Sequence, residues 1–139
     1  MKRITKKTQK EWDNLVSHYT EDYVKNKMIM DEYVLGKGDK TFCYIVERTL
    51  SPLGSILGAT SKKFGLYYGK NGKDKVKKYR FRNDFGKDEN EAFETVKDEL
   101  SKLIKKAKEL KTFEYIESKF NGMYKYKIIY LYNPSIMLP

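Results

Sequence analysis

The chain has little of the chemistry that metal centres and covalent catalysis require. Its 139 residues include one cysteine, Cys43, and one histidine, His18. A single cysteine cannot form an internal disulfide, which is typical of a reducing compartment, and we expect the cytoplasm. One His and one Cys cannot supply a zinc site, and an isolated His supports no Ser-His-Asp or Cys-His arrangement. The sequence therefore predicts no metal site, no cofactor and no nucleophilic catalysis.

Long apolar runs and linkers are also missing. No apolar stretch reaches about 18 residues, so we expect neither a transmembrane helix nor a membrane partner. The basic first residues are not followed by the apolar segment of a secretory signal. With 40% hydrophobic residues and no linker-like stretch, residues 1–139 are predicted to form a single domain. The apolar ending, 136–139, leads us to expect that the natural polypeptide continues.

Two helices follow from apolar spacing and capping residues. Thr8 and Glu11 have the form of a capping box, and the apolar stripe behind them predicts a helix over 9–27. Asp88 is placed to cap a long helix over 88–110, whose acidic start and lysine-rich end suit the helix dipole. A further short helix is predicted over 113–120. Residues 123–132 alternate at first and then become continuously apolar, which fits either a strand or a helix.

Between these helices the composition favours strands. The stretches 41–47, 63–68 and 75–82 are rich in β-branched and aromatic residues, and Asn71-Gly72 is a strong hairpin motif. We therefore predict an α+β domain, in which a short, mostly antiparallel sheet packs against the flanking helices. An open β-pseudobarrel with flanking helices is the alternative.

Positive charge is concentrated in one stretch of this sheet region. The net charge of the chain is +10, and residues 61–87 hold ten basic and two acidic residues, whereas residues 88–99 have a net charge of −5. Clustered basic residues release counterions from phosphates, so the pattern indicates a polyanion partner. The Lys-, Asn- and Tyr-rich composition is also what the bias of an AT-rich genome produces.

Basic residues and aromatics alternate through this stretch, which is typical of nucleic-acid binding. In the strand 75–82, Tyr79 and Phe81 share one face and basic residues share the other. Lysine and arginine would contact phosphates, and Arg80 and Arg82 could reach guanine edges. Tyr67 and Tyr68 point to opposite faces, so one of them could stack on a base. The predicted DNA-binding residues are Lys62, Lys63, Lys70, Lys73, Lys77, Lys78, Arg80 and Arg82.

Other function classes remain open. Glu117-Ser118-Lys119 has the Glu-x-Lys form of metal-dependent nucleases, and Asp84 or Asp88 could supply a second carboxylate for Mg²⁺-activated water. The basic face could instead bind RNA or an acidic protein.

The order of features over residues 30–139 resembles a known family, the N-terminal domains of McrB-like restriction proteins, including the LlaJI-type subunits. The resemblance is carried by Gly36-x-Gly38, Phe42-Cys43-Tyr44-Ile45, the glycine-containing loop 53–58, Lys63-Phe64-Gly65-Leu66-Tyr67-Tyr68, the long helix with an acidic start, and Tyr126-Lys127-Ile128-Ile129-Tyr130-Leu131-Tyr132.

The resemblance implies a double-stranded DNA-recognition module for restriction or antiviral defence, reading a methylated or a specific sequence. It implies an AAA+ GTPase motor following in the same chain and a separate nuclease subunit that cuts, so that this fragment is not itself an enzyme. It also implies base-contacting aromatics, and the positions that match are Phe42, Tyr44, and Tyr67 or Tyr68.

Overall fold

The structure is a computed structural model that describes residues 4–56 and 63–136. Within this part of the chain, helices surround one two-stranded antiparallel sheet, which confirms the predicted α+β class. The sheet is a hairpin, so the alternative of an open barrel does not match these residues.

Two helices replace the single helix predicted over 9–27, and a third short helix follows them. Helix α1 spans Lys6–His18, α2 spans Glu21–Asn26 and α3 spans Met30–Tyr33. The break occurs because the hydroxyl oxygen of Thr20 accepts the amide of Tyr23 and starts a new helix. The predicted capping box is also wrong, because Thr5 is the cap of α1 and accepts the amide of Thr8.

Residues 41–47 are helical, so the strand predicted there is wrong. Helix α4 spans Phe42–Tyr44 and continues into a π-helical turn, Ile45–Thr49, and a 3₁₀ turn, Ser51–Leu53. The hydroxyl oxygen of Thr41 accepts the amide of Tyr44 and caps the helix. Phe42, Cys43 and Val46 are fully buried. Burial on one helical face outweighs the β-propensity of these residues, which depends strongly on context.

The predicted hairpin is present, with shorter strands than the sequence suggested. Strand β1, Leu66–Gly69, pairs antiparallel with β2, Lys78–Phe81, with Leu66 opposite Phe81 and Tyr68 opposite Tyr79. Residues 70–77, called here the hairpin loop, connect them. The side-chain oxygen of Asn71 accepts the amides of Lys73 and Asp74 and stabilises a turn within this loop, which is longer than the tight two-residue turn typical of Asn-Gly.

The long helix is confirmed almost to the residue. Helix α5 spans Glu89–Glu109, and the carboxylate of Asp88 accepts the amide of Glu91 at 2.8 Å. Its buried stripe includes Phe93, Val96, Leu100, Leu103 and Ala107.

The C-terminal segment differs from the prediction in one place. Residues 113–120 form no helix, so the short helix predicted there is wrong; near the end of the segment, the carboxylate of Glu99 accepts the amide of Lys119 at 2.7 Å. The ambiguous stretch 123–132 is helix α6, Gly122–Tyr132. Its apolar residues are continuous because α6 is covered by α1 and α5 and is buried on several sides.

Buried aromatics with hydroxyl or indole donors join these elements. The indole of Trp12 donates to the carbonyl of Leu131, and the Tyr33 hydroxyl donates to the carbonyl of Phe64, both at 2.9 Å. In the ranges 4–56 and 63–136, no helix has the length and apolar character needed to cross a bilayer.

Candidate nucleic-acid interface

The two faces of the hairpin have opposite chemistry, as the alternation in 75–82 predicted. Leu66, Tyr68, Tyr79 and Phe81 lie on one face and pack against the core. Tyr67, Gly69, Lys78 and Arg80 lie on the other face. The core therefore fixes the orientation of the basic face.

The hairpin loop carries exposed lysines. The side chains of Lys70, Lys73 and Lys77 are exposed, and no residue in the described part of the chain forms a hydrogen bond or ion pair with them. Lys75 is also exposed, and its ammonium makes one long contact, 3.4 Å, with the carbonyl of Gly72. These ammonium groups project into solvent from a short segment, as phosphate binding requires.

The single acid of the loop is already engaged. The carboxylate of Asp74 accepts the amide of Val76 at 3.0 Å and forms ion pairs with Lys78 at 2.9 Å and Arg80 at 3.1 Å. The amide hydrogen bond, followed by the two cations, lowers the pKa of Asp74 far below its usual value. Asp74 therefore stays ionised and bound to its own hairpin, where it shapes the loop.

Arg80 connects the loop to the strands. Its guanidinium donates to the carbonyl of Gly69 at 2.7 Å and to that of Val76 at 2.8 Å, besides its ion pair with Asp74. Only 11% of its side chain is exposed. From the sequence, Arg80 could have reached a guanine edge, but in the structure its donors hold the loop.

Arg82 is also engaged internally. Its guanidinium forms a bidentate pair with the carboxylate of Asp84, at 3.0 and 2.7 Å, and donates to the carbonyl of Lys119 at 2.7 Å. It lies 4.9 Å from the ring centre of Phe85. These contacts tie the end of the hairpin to the segment before α6.

Lys63 does not lie on the surface that the sequence predicted. It is 7% exposed, and its ammonium pairs with the carboxylate of Glu47 and donates to the carbonyl of Ile56 at 3.2 Å. Lys62 lies outside the described residues. The interface that the geometry supports is therefore narrower than the stretch 61–87.

The predicted base-contacting aromatics separate into buried and partly exposed residues. Phe42 is fully buried between Tyr19 and Tyr33, with ring centres 5.0 and 5.9 Å away, so it is a core residue. Tyr44 is half-buried on α4 rather than on a strand. On the hairpin, Tyr67 and Tyr68 do point to opposite faces, and only Tyr67 lies on the basic one.

Sequence reasoning missed Lys37. Its ammonium lies 3.8 Å from the ring centre of Tyr68, because the amide of Tyr68 donates to the carbonyl of Leu35 and brings this segment alongside β1. Gly36 is required there: its φ is 107°, and a Cβ atom would meet the carbonyl oxygen of Tyr68 at 1.8 Å. The Gly36-x-Gly38 pattern around Lys37 was the sequence feature that could have indicated this close approach.

Tyr79, on the same face of the hairpin as Tyr68, is fixed by a residue of α3. Its hydroxyl donates to the carboxylate of Asp31, and this hydrogen bond raises the pKa of Tyr79 to about 12. The aromatic face of the hairpin is thus anchored to α3 as well as to the core.

A second polar centre lies inside the protein, around Lys127 of α6. Its ammonium donates to the carbonyls of Val46, Leu50 and Gly54, the last two at 2.9 and 2.6 Å. Burial lowers the pKa of Lys127 to about 8, and the nearby charge of Glu47 opposes this shift. Three acceptors match the three donors of a lysine, so this group closes the turns after α4 and has no donor left for a ligand.

The Glu-x-Lys pattern does not assemble a carboxylate cluster. Glu117 lines a cleft beside α5, whereas Lys119 and Asp84 line a different one, and the Lys119 ammonium donates to the carbonyl of Asp84 at 3.0 Å. In the described ranges, no three His, Cys, Asp or Glu residues lie close enough to hold a metal ion.

Comparison with known proteins finds no family model, no curated protein and no solved structure that matches this chain.

Proposed function

We propose that this chain is a double-stranded DNA-binding module whose hairpin loop contacts the phosphate backbone. The observation that carries the proposal is the group of exposed ammonium groups on Lys70, Lys73 and Lys77, which have no partner within residues 4–56 and 63–136 and belong to a loop whose one acid is internally neutralised. Lys78 extends the same surface, because 57% of its side chain is exposed despite its pair with Asp74. Binding would release counterions from the phosphates and supply affinity.

The dimensions of the hairpin support a duplex as the partner. A two-stranded β-ribbon fits the major groove of B-DNA, which is about 12 Å wide. The four-residue strands and the hydrogen bonds from Arg80 to the carbonyls of Gly69 and Val76 hold the loop in place. Little conformational entropy would therefore be lost on docking. Tyr67 lies on the same face; its hydroxyl donates to the carbonyl of Lys70 at 3.3 Å, and its half-buried ring is the part that could contact a base.

The biological setting follows from the resemblance described above. We propose that the chain is the specificity module of a cytoplasmic restriction or phage-defence complex, reading a methylated or a specific sequence and performing no catalysis itself. Its partners would be an AAA+ GTPase motor in the same chain and a nuclease subunit in another. Within such a complex the lysines of the hairpin loop would supply affinity, and contacts with base edges would supply specificity.

A binding screen tests the proposal. Fluorescence anisotropy would compare unmethylated, methylated and scrambled 20-base-pair duplexes, with single-stranded RNA and an acidic peptide as competing partners. We expect the duplexes to bind and the RNA and peptide to bind much more weakly. Preference for either RNA or peptide over every duplex would contradict the proposal.

Charge reversal locates the surface. Replacing Lys70, Lys73 and Lys77 together by Glu should abolish duplex binding at moderate salt. The matched control replaces Lys6, Lys7 and Lys10 by Glu, which makes the same change in net charge at exposed positions of α1. Equal loss of binding in both variants would show a diffuse charge effect and refute the hairpin as the interface.

A further inference from the structure

The hairpin loop exposes an apolar side chain among its lysines, close to the start of β2. Val76 is 64% exposed, although the apolar residues of both strands pack inward. It stands between Lys75 and Lys77, both exposed. Single exposed apolar residues are common on protein surfaces, and Ile29 and Tyr115 are equally exposed; what sets Val76 apart is its place among the exposed lysines of the hairpin loop, where a partner that covered it would gain the free energy of its burial.

Val76 is also held firmly. Its amide donates to the carboxylate of Asp74 at 3.0 Å, and its carbonyl accepts the guanidinium of Arg80 at 2.8 Å. Both of these partners belong to the same hairpin and are bound to each other. The isopropyl group is therefore presented from a fixed backbone, which a specific contact requires.

The chemistry of the major groove identifies what such a group would meet. The base edges there present hydrogen-bond donors and acceptors and one apolar group, the C5-methyl of thymine. If this loop enters the groove, the ammonium groups of Lys75 and Lys77 would lie near the phosphates. The side chain of Val76, between them, would lie near the base edges. An isopropyl group has no hydrogen-bonding capacity, so the methyl group is its matching surface.

We propose that Val76 contacts the C5-methyl groups of thymine in the major groove, an inference that rests on the proposed function. It makes Val76 a specificity residue that favours A·T pairs, while the neighbouring lysines contribute affinity without sequence preference. Arg80 and Asp74 are the positioning residues for this contact.

The test uses two 20-base-pair duplexes that differ only in the methyl group: one contains thymine and the other has every thymine replaced by deoxyuridine. Wild-type protein and Val76→Ser are titrated with both. We expect wild type to bind the thymine duplex about three- to fourfold more tightly, the effect of burying a group of methyl size, and Val76→Ser to bind the two duplexes equally. The exposed position makes the variant safe for folding, which its unfolding curve would verify.

Each contrary result is distinct. If wild type binds both duplexes equally, or if Val76→Ser keeps the thymine preference, the methyl contact is refuted while duplex binding stands. If wild type binds neither duplex, the proposed function fails and the contact fails with it. Tighter binding to phosphatidylserine vesicles than to either duplex, lost in Val76→Ser, would show that the loop inserts into an anionic membrane surface instead.

Discussion

Lysines occur in two opposite environments in this protein, the hairpin loop and the centre beneath α6. Lys70, Lys73 and Lys77 are exposed and unpaired within the described chain, whereas Lys127 is buried and donates to three carbonyls. The same side chain thus holds turns together in one place and is free to bind an anion in the other. Net charge alone cannot separate these roles, because the acceptors around each ammonium decide which role it has.

The largest expected effect comes from removing the buried ammonium. Lys127→Met would leave the carbonyls of Val46, Leu50 and Gly54 without their donor, and we expect the free energy of unfolding to fall by about 3 kcal/mol. Lys108→Met, on an exposed position of α5, is the matched control and should change it by less than about 0.5 kcal/mol. Urea denaturation measures the free energy of unfolding of both variants. Equal effects would show that the hydrogen bonds from Lys127 to the three carbonyls do not stabilise the fold.

The pH dependence of stability should differ between these environments. Because burial lowers the pKa of Lys127 to about 8, the unfolded chain binds more protons than the folded one above that pH. The contribution of Lys127 to stability therefore rises between about pH 8 and its ordinary value of 10.5. The advantage of wild type over Lys127→Met should be larger at pH 9.5 than at pH 7, when both are unfolded in urea.

Two buried tyrosines, Tyr33 and Tyr124, set the highest pH at which this comparison can be made. Burial raises the pKa of Tyr33 and Tyr124 well above their ordinary value of 10.0, so the stability that they contribute is lost only as the pH rises beyond that value. A constant or shrinking advantage below pH 10 would therefore contradict the account of Lys127.

A smaller effect on stability is expected when the hydrogen bonds between Arg80 and the hairpin loop are removed. Arg80→Gln removes the hydrogen bonds to Gly69 and Val76, and we expect a loss of about 1–2 kcal/mol of stability and faster hydrogen exchange at the Val76 amide. Arg48→Gln removes the same charge from a side chain that is 62% exposed and should leave that amide unchanged. NMR hydrogen exchange distinguishes the two variants. Unchanged exchange in Arg80→Gln would mean that the hydrogen bonds of Arg80 do not order the loop.

The smallest effect on stability is expected at the exposed lysines. Replacing Lys70, Lys73 or Lys77 singly by Met removes no internal contact, so the free energy of unfolding should stay within about 0.5 kcal/mol of wild type. Thermal or urea unfolding checks this. A loss comparable to that of Lys127→Met would show that these lysines have a structural role, and would contradict the contrast between them and Lys127.

The parts of the fold that local chemistry specifies could be predicted from the sequence. Asp88 and the apolar stripe behind it defined α5, and Asn71-Gly72 defined the hairpin. Residues 41–47 could not be predicted in the same way, because Phe42, Cys43 and Val46 have strand-like composition and their burial among helices decides the outcome. Thr41, an N-cap residue, was the one local indication of a helix.

The candidate site was predictable in place but not in detail. The sequence located the cluster of positive charge and the two faces of β2. It did not show that Lys63 faces Glu47 or that the donors of Arg80 and Arg82 are used internally, because those partners lie far along the chain or depend on the turn geometry of the loop. Lys37 was missed for the same reason, since only the pairing of Leu35 with Tyr68 brings it to the hairpin.

The salt dependence of duplex binding tests the central claim most directly. Plotting log K against log salt for wild type and for the variant with Lys70, Lys73 and Lys77 replaced by Gln gives the number of phosphate contacts that these lysines make. The account predicts that the magnitude of the slope falls by about 0.9 for each lysine lost, while Lys6, Lys7 and Lys10 replaced by Gln leave it unchanged. An unchanged slope in the hairpin variant would contradict the assignment of this loop as the DNA-binding surface.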